Sequence, residues 1–267
     1  MTTAAIPAVP AVPAVPERTV PPLGGFSATF LRLEIRRLLR NRRTVVFTLI
    51  IPPLFFWAFG TGHTGEQVGR GNVTAYVMIS LAVYGAMIAT TAGGASVGLE
   101  RAVGWSRQLR LTPLNPVAYV AVKIITAMVL GGLSVAIVCA VGALGGARMD
   151  GWVWVASALV AWVGALVFAA FGLFMGYLLP SENVMQILGP VLALLAFFGG
   201  LFVPLSVLGQ TFQDIAKFTP AYGVGVLARA PLTADPVNTA AIANVVVWTL
   251  AFAAGAVWRF RRDTARV

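Results

Sequence analysis

Six long stretches of the chain contain no Asp, Glu, Lys or Arg. They are residues 44–65, 71–99, 124–147, 151–181, 183–213 and 236–258. Each holds the roughly 20 residues that a helix needs to cross a hydrocarbon core of about 30 Å. A soluble domain would distribute charged residues through stretches of this length. The pattern therefore predicts an all-α membrane protein with six transmembrane helices.

The rest of the chain leaves no room for a soluble domain. Of the 267 residues, 58% are hydrophobic and 10% are charged. Residues 1–25 contain a repeated Ala-Val-Pro tract, and proline at every third position favours an extended, solvated tail. We expect a disordered tail at 1–25, an amphipathic helix at 26–43, a transmembrane domain at 44–258 and a basic cytoplasmic tail at 259–267.

The placement of the basic residues predicts how the chain lies in a bacterial plasma membrane. If the N-terminus is cytoplasmic, four of the 19 Lys and Arg residues fall on the outer side, namely Arg70, Arg148, Lys217 and Arg229. This bias follows the positive-inside rule, and six spans then place both termini in the cytoplasm. A net charge of +10 alone is compatible with a nucleic-acid partner, but the placement of the basic residues on one side of the membrane indicates membrane lipids as partners and no nucleic acid.

Residues 26–43 are expected to form an amphipathic helix directly before the first span. Leu31, Ile35 and Leu38 recur at helical spacing, while arginines occupy another face. A basic amphipathic helix lies in the membrane interface, with its apolar stripe among the acyl chains. Two roles remain open: an anchor alone, or an anchor that also contacts a cytoplasmic partner. The arginines on that other face are Arg32, Arg36, Arg40 and Arg43, and Arg37 is the further arginine assigned to the interfacial helix.

Proline and glycine predict where two of the spans break. Pro52-Pro53 removes two backbone donors from the first span and should kink or break it. Gly199-Gly200 should break the fifth span near its outer end. We expect residues 205–235 to form a short re-entrant or interfacial segment on the outer side.

Small residues four positions apart predict close contacts between helices. The second span carries Gly85, Ala89 and Gly93, and the fourth carries Gly172 and Gly176. Such spacing lets two membrane helices approach closely. The pattern does not distinguish packing within one subunit from packing between subunits.

The chain carries no group that would power transport by itself. It has no G-x-x-x-x-G-K-[ST] loop to hold nucleotide phosphates. No ionisable residue falls deep inside a predicted span, which argues against a proton relay. Residues 94–98 match G-x-S-x-G, but His63, the one histidine, falls on the opposite side of the membrane, so a serine hydrolase is not expected. We therefore expect a non-enzymatic protein that is either passive or driven by a partner.

The segment 99–116, between the second and third spans, is the candidate contact for such a partner. Glu100 is expected in the first turn of a short cytoplasmic helix and Arg110 in its last turn, as the helix dipole prefers. Pro113 would stop this helix. The segment is either an interfacial loop helix or a docking element that presents Trp105 and its charges to a soluble partner.

The same segment resembles the ABC-2 type transporter permeases, notably the daunorubicin-resistance-type exporters. The likeness rests on the pair Glu100-Arg101, on Gly104, and on residues 107–113, which read Arg-Gln-Leu-Arg-Leu-Thr-Pro. Trp105 stands where the family often has Thr. Residue-level contacts near this position therefore differ from the family pattern.

Two further pieces of the chain agree with this resemblance. Residues 30–56 are similar to the family's start of the first span, and residues 200–206 are similar to its broken fifth span. The likeness extends over about 26–262. It implies that two permeases pair, as a homodimer or with a sister permease, and that two separate ABC ATP-binding subunits dock from the cytoplasm.

The resemblance also implies roles for particular residues. ATP and Mg²⁺ would be held by the partner subunit, and this chain would hold no cofactor. A coupling helix at 100–111 would pass the closure of the ATPase dimer to the membrane helices. Its residues would be Glu100, Arg101, Gly104, Trp105, Arg107, Gln108, Leu109, Arg110 and Leu111.

The implied activity is export of a hydrophobic or amphiphilic compound, such as an antibiotic or a lipid, and such efflux would confer antibiotic resistance. Spans 2 and 5 would line the subunit interface and the translocation path. Candidate substrate contacts are Thr90, Thr91, Gln186, Phe197, Phe198 and Phe202, with plain helix packing as the competing role for each. The alternative function is a stand-alone channel, or a membrane scaffold or receptor subunit without an ATPase.

Overall fold

The computed structural model describes residues 26–104, 116–180, 183–236 and 238–265. These residues form helices and one antiparallel hairpin, in which β1 (Gln67–Val68) pairs with β2 (Gly71–Asn72). The helices are α1 (Ala28–Arg40), α2 (Arg42–Val45), α3 (Ile51–Phe59), α4 (Val73–Ala102), α5 (Pro116–Leu144), α6 (Gly151–Gly164), α7 (Leu166–Leu178), α8 (Val184–Phe198), α9 (Gln210–Ala216), α10 (Pro220–Thr233) and α11 (Thr239–Ala265). The tail predicted at 1–25 lies outside the described residues.

Four helical segments are long and apolar enough to cross a membrane. They are Val73–Ala102, Val117–Leu144, Gly151–Leu178 and Thr239–Arg262. Two shorter apolar helices, Val46–Phe59 and Gln186–Phe198, fall within the first and fifth predicted spans. The prediction of a helical membrane protein is therefore confirmed, whereas the count of six spans stays a prediction.

The helix of the first predicted span changes its winding before Pro52-Pro53. After α2, residues Val46–Ile50 form a π-helical turn, and α3 then begins at Ile51 with both prolines in its first turn. Proline is tolerated in a first turn because the N–H groups there have no acceptor within the helix. The predicted interruption is thus present, as a π-helical turn rather than an open break.

Helix α4 is the centre of the bundle. It packs against α5 and α7 along its length and also contacts α3 and α10. Of its most apolar 18-residue window, 78% is buried inside the protein. The expectation that the second span lines a subunit interface does not fit this burial, because α4 is covered mainly by helices of its own chain.

Glycines allow α4 and α7 to approach backbone to backbone. A Cβ built on Gly94 would lie 2.5 Å from the carbonyl oxygen of Ala169, and one built on Gly98 would lie 3.0 Å from that of Gly176. On the α7 side, a Cβ on Gly176 would lie 3.2 Å from the Cα of Ala95. The predicted close packing is confirmed, and it occurs within one subunit.

The two ends of the bundle are chemically different. They lie at opposite ends of α4, which is 30 residues long, from Val73 to Ala102, and rises about 1.5 Å per residue. The hairpin end carries β1, β2 and the loop after α5, where Asn72 caps α4 by accepting from the N–H of Ala75 at 3.0 Å. The basic end carries α1 and the last turn of α4. Sequence analysis predicts that the basic end is cytoplasmic.

The fifth predicted span breaks at the hairpin end, as expected from Gly199-Gly200. Gly200 has a positive φ of 72°, which a residue with a side chain rarely adopts. A short 3₁₀ turn (Leu205–Val207), α9 and α10 follow in place of a continued helix. The break is confirmed, whereas the re-entrant path of this segment stays a prediction.

Arg229 of α10 is buried, although the sequence placed it only among the basic residues of the outer side. It is 6% exposed, and it donates hydrogen bonds to Ser80 Oγ at 3.0 Å and to the carbonyl of Gly200 at 3.1 Å. Its guanidinium lies 5.0 Å from the centre of the Tyr76 ring. Arg229 therefore joins α10, the break after α8 and α4.

Both terminal helices differ in length from their predictions. α1 covers Ala28–Arg40 of the expected 26–43. Asn41 is its C-cap, and α2 begins at the next residue, Arg42. α11 continues beyond the predicted end of the sixth span at Trp258 and reaches Ala265. No proline or glycine follows Trp258, so nothing in the sequence stops the helix there.

Candidate functional site

Four charged side chains from three helices meet at the basic end, together with one tyrosine. They form the charged cluster: Glu34 and Arg37 of α1, Glu100 of α4, and Tyr119 and Lys123 of α5. Lys123 Nζ donates to the carboxylates of both Glu34 and Glu100. Arg37 also donates to both carboxylates, at 2.8 Å to Glu34. The Tyr119 hydroxyl donates to the second oxygen of Glu100.

Local sequence patterns bring these groups into the protein interior. Glu34 lies on the same face of α1 as Leu31 and Leu38, three residues from one and four from the other, so it turns inward with the apolar stripe. Lys123 lies one helical turn after Tyr119 on α5. Glu34, Glu100 and Lys123 are 6%, 5% and 2% exposed. The cluster is therefore shielded from solvent on α4 and α5 and reaches the surface through Arg37.

The cluster is electrically balanced, with two carboxylates and two cations. Burial of an ion costs several kcal/mol of desolvation, about as much as a partner returns, so such clusters add little net stability. Loss of one member is costly, because its partner is left buried and uncompensated. Partial burial of Arg37 lowers its pKa, but the charges of Glu100 and Glu34 outweigh this effect and raise the pKa above its ordinary value.

Arg101 makes a second connection from the end of α4. Its guanidinium donates to the carbonyls of Gly176 and Tyr177 at 3.1 and 3.0 Å, and it lies 5.6 Å from the Tyr177 ring centre. Because a helix C-terminus carries partial negative charge, a cation at the end of α7 is favourable there. Glu100 and Arg101 together fasten the last turn of α4 to α1, α5 and α7.

The structure corrects the predicted position of Glu100. Sequence analysis placed it in the first turn of a separate helix, and this was wrong: Glu100 and Arg101 lie in the last turn of α4, which ends at Ala102. No residue before Gly104 breaks the helix, and Gly104 then takes a positive φ of 74°. The other predicted coupling residues lie outside the described residues and stay predictions. They are Trp105, Arg107, Gln108, Leu109, Arg110 and Leu111.

The arginines of the interfacial helix do not share one environment. Arg32, Arg36 and Arg40 are exposed, as a lipid-facing or solvent-facing role requires. Arg37, predicted as a residue of the interfacial helix, is half-exposed and also belongs to the charged cluster. The side chain of Arg43 lies outside the part of the chain that the structure describes.

The six candidate substrate contacts are not brought together. Thr90 and Thr91 are fully buried and donate to the α6–α7 backbone, at 3.2 Å to the carbonyl of Ala165 and 3.3 Å to that of Phe168. These two residues therefore pack helices rather than line an open path. The others lie on α8 or just after it.

The aromatic candidates lie towards the hairpin end, in two groups. Phe202 packs against Tyr84 of α4 with ring centres 4.7 Å apart and against Phe55 of α3 at 6.4 Å. Phe198 contacts Phe197 at 5.7 Å and Phe212 of α9 at 6.1 Å. Gln186 is exposed near the start of α8, far along that helix from Phe197 and Phe198.

Glu34, Tyr119 and Lys123 are the site residues that sequence reasoning missed. The sequence indicates Lys123 only as one of the 15 Lys and Arg residues that fall on the predicted inner side. The position of Glu34 on the apolar stripe of α1 could have indicated it as a site residue, because a buried carboxylate needs a buried partner. The partner itself was not readable, since Glu34 and Lys123 are 89 positions apart.

Most of the chain is similar in sequence to known transporter proteins. Residues 59–258 match a family described as ABC-2 family transporter protein. The chain is also 30% identical over 196 residues to a protein of Bacillus subtilis (strain 168) named "Putative transport permease YvfS". That alignment covers 72% of this chain and 79% of the relative. The family match includes Glu100, Tyr119 and Lys123, whereas α1 lies before it.

Proposed function

The chain belongs to the ABC-2 family of transporter proteins, and from that membership we propose that it is the permease subunit of an ATP-driven exporter. It is a membrane-embedded transporter subunit. The proposal adds the direction of transport and the source of energy. ATP would be hydrolysed, with Mg²⁺, in a separate ABC ATP-binding subunit, because this sequence has no loop that holds nucleotide phosphates.

The charged cluster is the observation that supports energy input from the basic end. It connects α1, α4 and α5 within a few residues of Gly104, after which the chain continues into the predicted coupling segment. A push on that segment would reach the last turn of α4 first. Through Glu100 and Arg101 it would then move α1, α5 and α7 together, since the Glu100 contacts are buried and Arg101 makes two part-buried hydrogen bonds to α7.

We further propose a six-span topology with both termini in the cytoplasm of a bacterial cell. The short apolar helices Val46–Phe59 and Gln186–Phe198 would serve as the first and fifth spans. Two permease subunits would pair, as identical copies or with a sister permease. α11 is 11% buried over its apolar window, so its surface is available to lipid or to a second subunit.

The proposed cargo is a hydrophobic or amphiphilic compound, such as a drug or a lipid. Support comes from the aromatic side chains near the hairpin end, among which Phe55 and Phe202 are each about one third exposed. Aromatic rings of this kind suit an apolar cargo better than a small ion. Gln186, Phe197 and Phe198 remain proposed contacts on α8.

Substitution of Gly104 tests the coupling. Proline cannot adopt the positive φ of Gly104, so Gly104→Pro should change the direction in which the chain leaves α4. The expected result is normal membrane insertion together with loss of efflux and of partner-stimulated ATP hydrolysis. The measurement is dye efflux from cells, and ATPase activity of the complex purified in mild detergent.

Gly62→Pro is the matched control. Gly62 also has a positive φ, of 104°, and a Cβ built on it would meet no atom within 4 Å, but it lies in the loop at the hairpin end. We expect this variant to keep efflux. Normal efflux from Gly104→Pro would contradict the coupling role. Efflux without any co-purifying ATP-binding subunit would instead favour a stand-alone channel.

A further inference from the structure

A groove of about 730 Å³ opens between α1 and the last turns of α4 at the basic end. Its α1 wall carries Leu33, Arg36 and Arg40, which recur at spacings of three and four residues and so share one helix face. Its α4 wall carries Leu99 and Val103, which are likewise four residues apart. We call the α1 side the basic wall, because it carries three arginines, and the α4 side the apolar wall, because its exposed residues are Leu99 and Val103. Ser96 and Glu100 also belong to the α4 side, but both are buried.

Within the described part of the chain, the basic wall has cationic groups without an acidic partner. Arg36 and Arg40 are exposed, and no carboxylate lies within salt-bridge distance of either among the described residues. Glu100 also lines the groove, but its carboxylate is occupied by Lys123, Arg37 and Tyr119. The groove therefore presents net positive charge that the charged cluster does not cancel.

The facing wall exposes large apolar side chains beside this charge. Leu99 is 46% exposed and Val103 is 77% exposed, and Leu33 across the groove is 58% exposed. Leu99 is also the last residue of the uncharged stretch 71–99. In the predicted topology, this position places the apolar wall near the cytoplasmic end of the second span and the arginines near the lipid headgroups.

We propose that this groove binds an anionic phospholipid of the leaflet at the basic end. The phosphate lies between Arg36 and Arg40, whose guanidinium groups form paired hydrogen bonds with phosphate oxygens. The upper part of an acyl chain lies along Leu99 and Val103. A free phosphate ion would leave the apolar wall exposed to water, whereas a phospholipid covers that wall with an acyl chain and brings its phosphate to the arginines.

The bound lipid would bridge α1 and the end of α4 beside Glu100. This site does not depend on the proposed ATPase partner, because it needs only the membrane and these two helices. Lipid binding and ATP-driven export can therefore fail separately.

The test is lipid retention by the full chain, measured by native mass spectrometry after purification in mild detergent. The probes are phosphatidylglycerol and phosphatidylcholine with identical acyl chains, and inorganic phosphate as a competitor. We expect one phosphatidylglycerol per subunit, retained about tenfold better than phosphatidylcholine because only its headgroup carries net charge. Millimolar inorganic phosphate should not displace it.

The variant Arg36→Gln/Arg40→Gln should lower retention of phosphatidylglycerol by about tenfold or more. The control Arg32→Gln/Arg42→Gln removes the same charge from exposed positions that do not line the groove, and it should retain the lipid as the unmodified chain does. Equal retention by both double variants would overturn the proposal. Displacement by inorganic phosphate would overturn it in favour of a free-anion site.

A second measurement identifies the occupant in native membranes. A photo-cross-linking amino acid at position 103 should label phospholipid, since the Val103 side chain faces the groove. Labelling of a protein subunit with no lipid adduct would overturn the proposal in favour of a protein-docking surface.

Discussion

Lys123 is the buried amine that neutralises both carboxylates of the charged cluster. It is 2% exposed and donates to the carboxylates of Glu34 and Glu100, both of which are buried. Its substitution leaves two carboxylates to share Arg37. At the residue scale, this makes Lys123 the most sensitive member of the charged cluster.

We predict that Lys123→Met destabilises the protein by about 3–5 kcal/mol, because a buried charge loses its partner. The measurement is thermal unfolding of the purified chain in detergent. Lys217→Met is the matched control, since Lys217 pairs with Asp214 at 2.8 Å but both side chains are about half-exposed. The control should change stability little, because water screens an exposed pair.

The variant Glu34→Gln/Lys123→Met removes one charge of each sign and leaves Arg37 paired with Glu100. We expect it to recover part of the stability that Lys123→Met loses. A double variant no more stable than Lys123→Met would show that packing around the lysine, rather than charge balance, holds the three helices together.

The sequence predicted part of this site. Glu100, Arg101 and Gly104 were selected from their resemblance to a known segment, and the structure places Glu100 in buried contacts and Arg101 in part-buried ones. Glu34 and Lys123 were not selected. Their pairing spans 89 positions of the chain, and no local pattern on either helix specifies which distant residue will neutralise it.

At the scale of elements, α4 and α7 pack closely because glycines on both helices leave room for the facing backbone. Gly94, Gly98 and Gly176 let the two backbones meet, and Thr91 adds a hydrogen bond to the carbonyl of Phe168 at 3.3 Å. Glycine spacing predicted the closeness of these helices. It did not predict that α7 was the partner, because several other helices of the described chain are long and apolar as well.

We predict that Gly94→Ala destabilises the protein by about 1–3 kcal/mol, because the new methyl group overlaps the carbonyl of Ala169 and forces the helices apart. Gly189→Ala is the control: it lies on α8 and meets nothing within 4 Å. Both variants are compared by thermal unfolding in detergent. Equal stability of the two would contradict close α4–α7 packing.

The interruptions of the elements were predictable, but their form was not. Pro52-Pro53 and Gly199-Gly200 indicated where the first and fifth spans would be interrupted. The π-helical turn at Val46–Ile50 contacts α4, and the buried Arg229 donates to Ser80 of α4. Such contacts join residues far apart in the sequence, so local patterns do not predict them. Element bounds also shifted, most clearly at α11, which continues to Ala265.

At the scale of the whole molecule, topology is the first property to test. The basic end should be cytoplasmic, because most of the Lys and Arg residues lie there. Green fluorescent protein fused after Gly104 or after Val267 should fluoresce, and alkaline phosphatase fused after Gly65 should be active. Phosphatase activity from a fusion after Gly104 would reverse the orientation and remove the proposed coupling.

The proposed mechanism requires that ATP hydrolysis occurs outside this chain and acts through its basic end. The most direct test is ATP hydrolysis by the purified chain in lipid vesicles, alone and with its co-purifying ATP-binding subunit. We predict no hydrolysis by the chain alone, and hydrolysis by the complex that Gly104→Pro suppresses. Hydrolysis by the chain alone, or a complex whose rate is unaffected by Gly104→Pro, would contradict the mechanism.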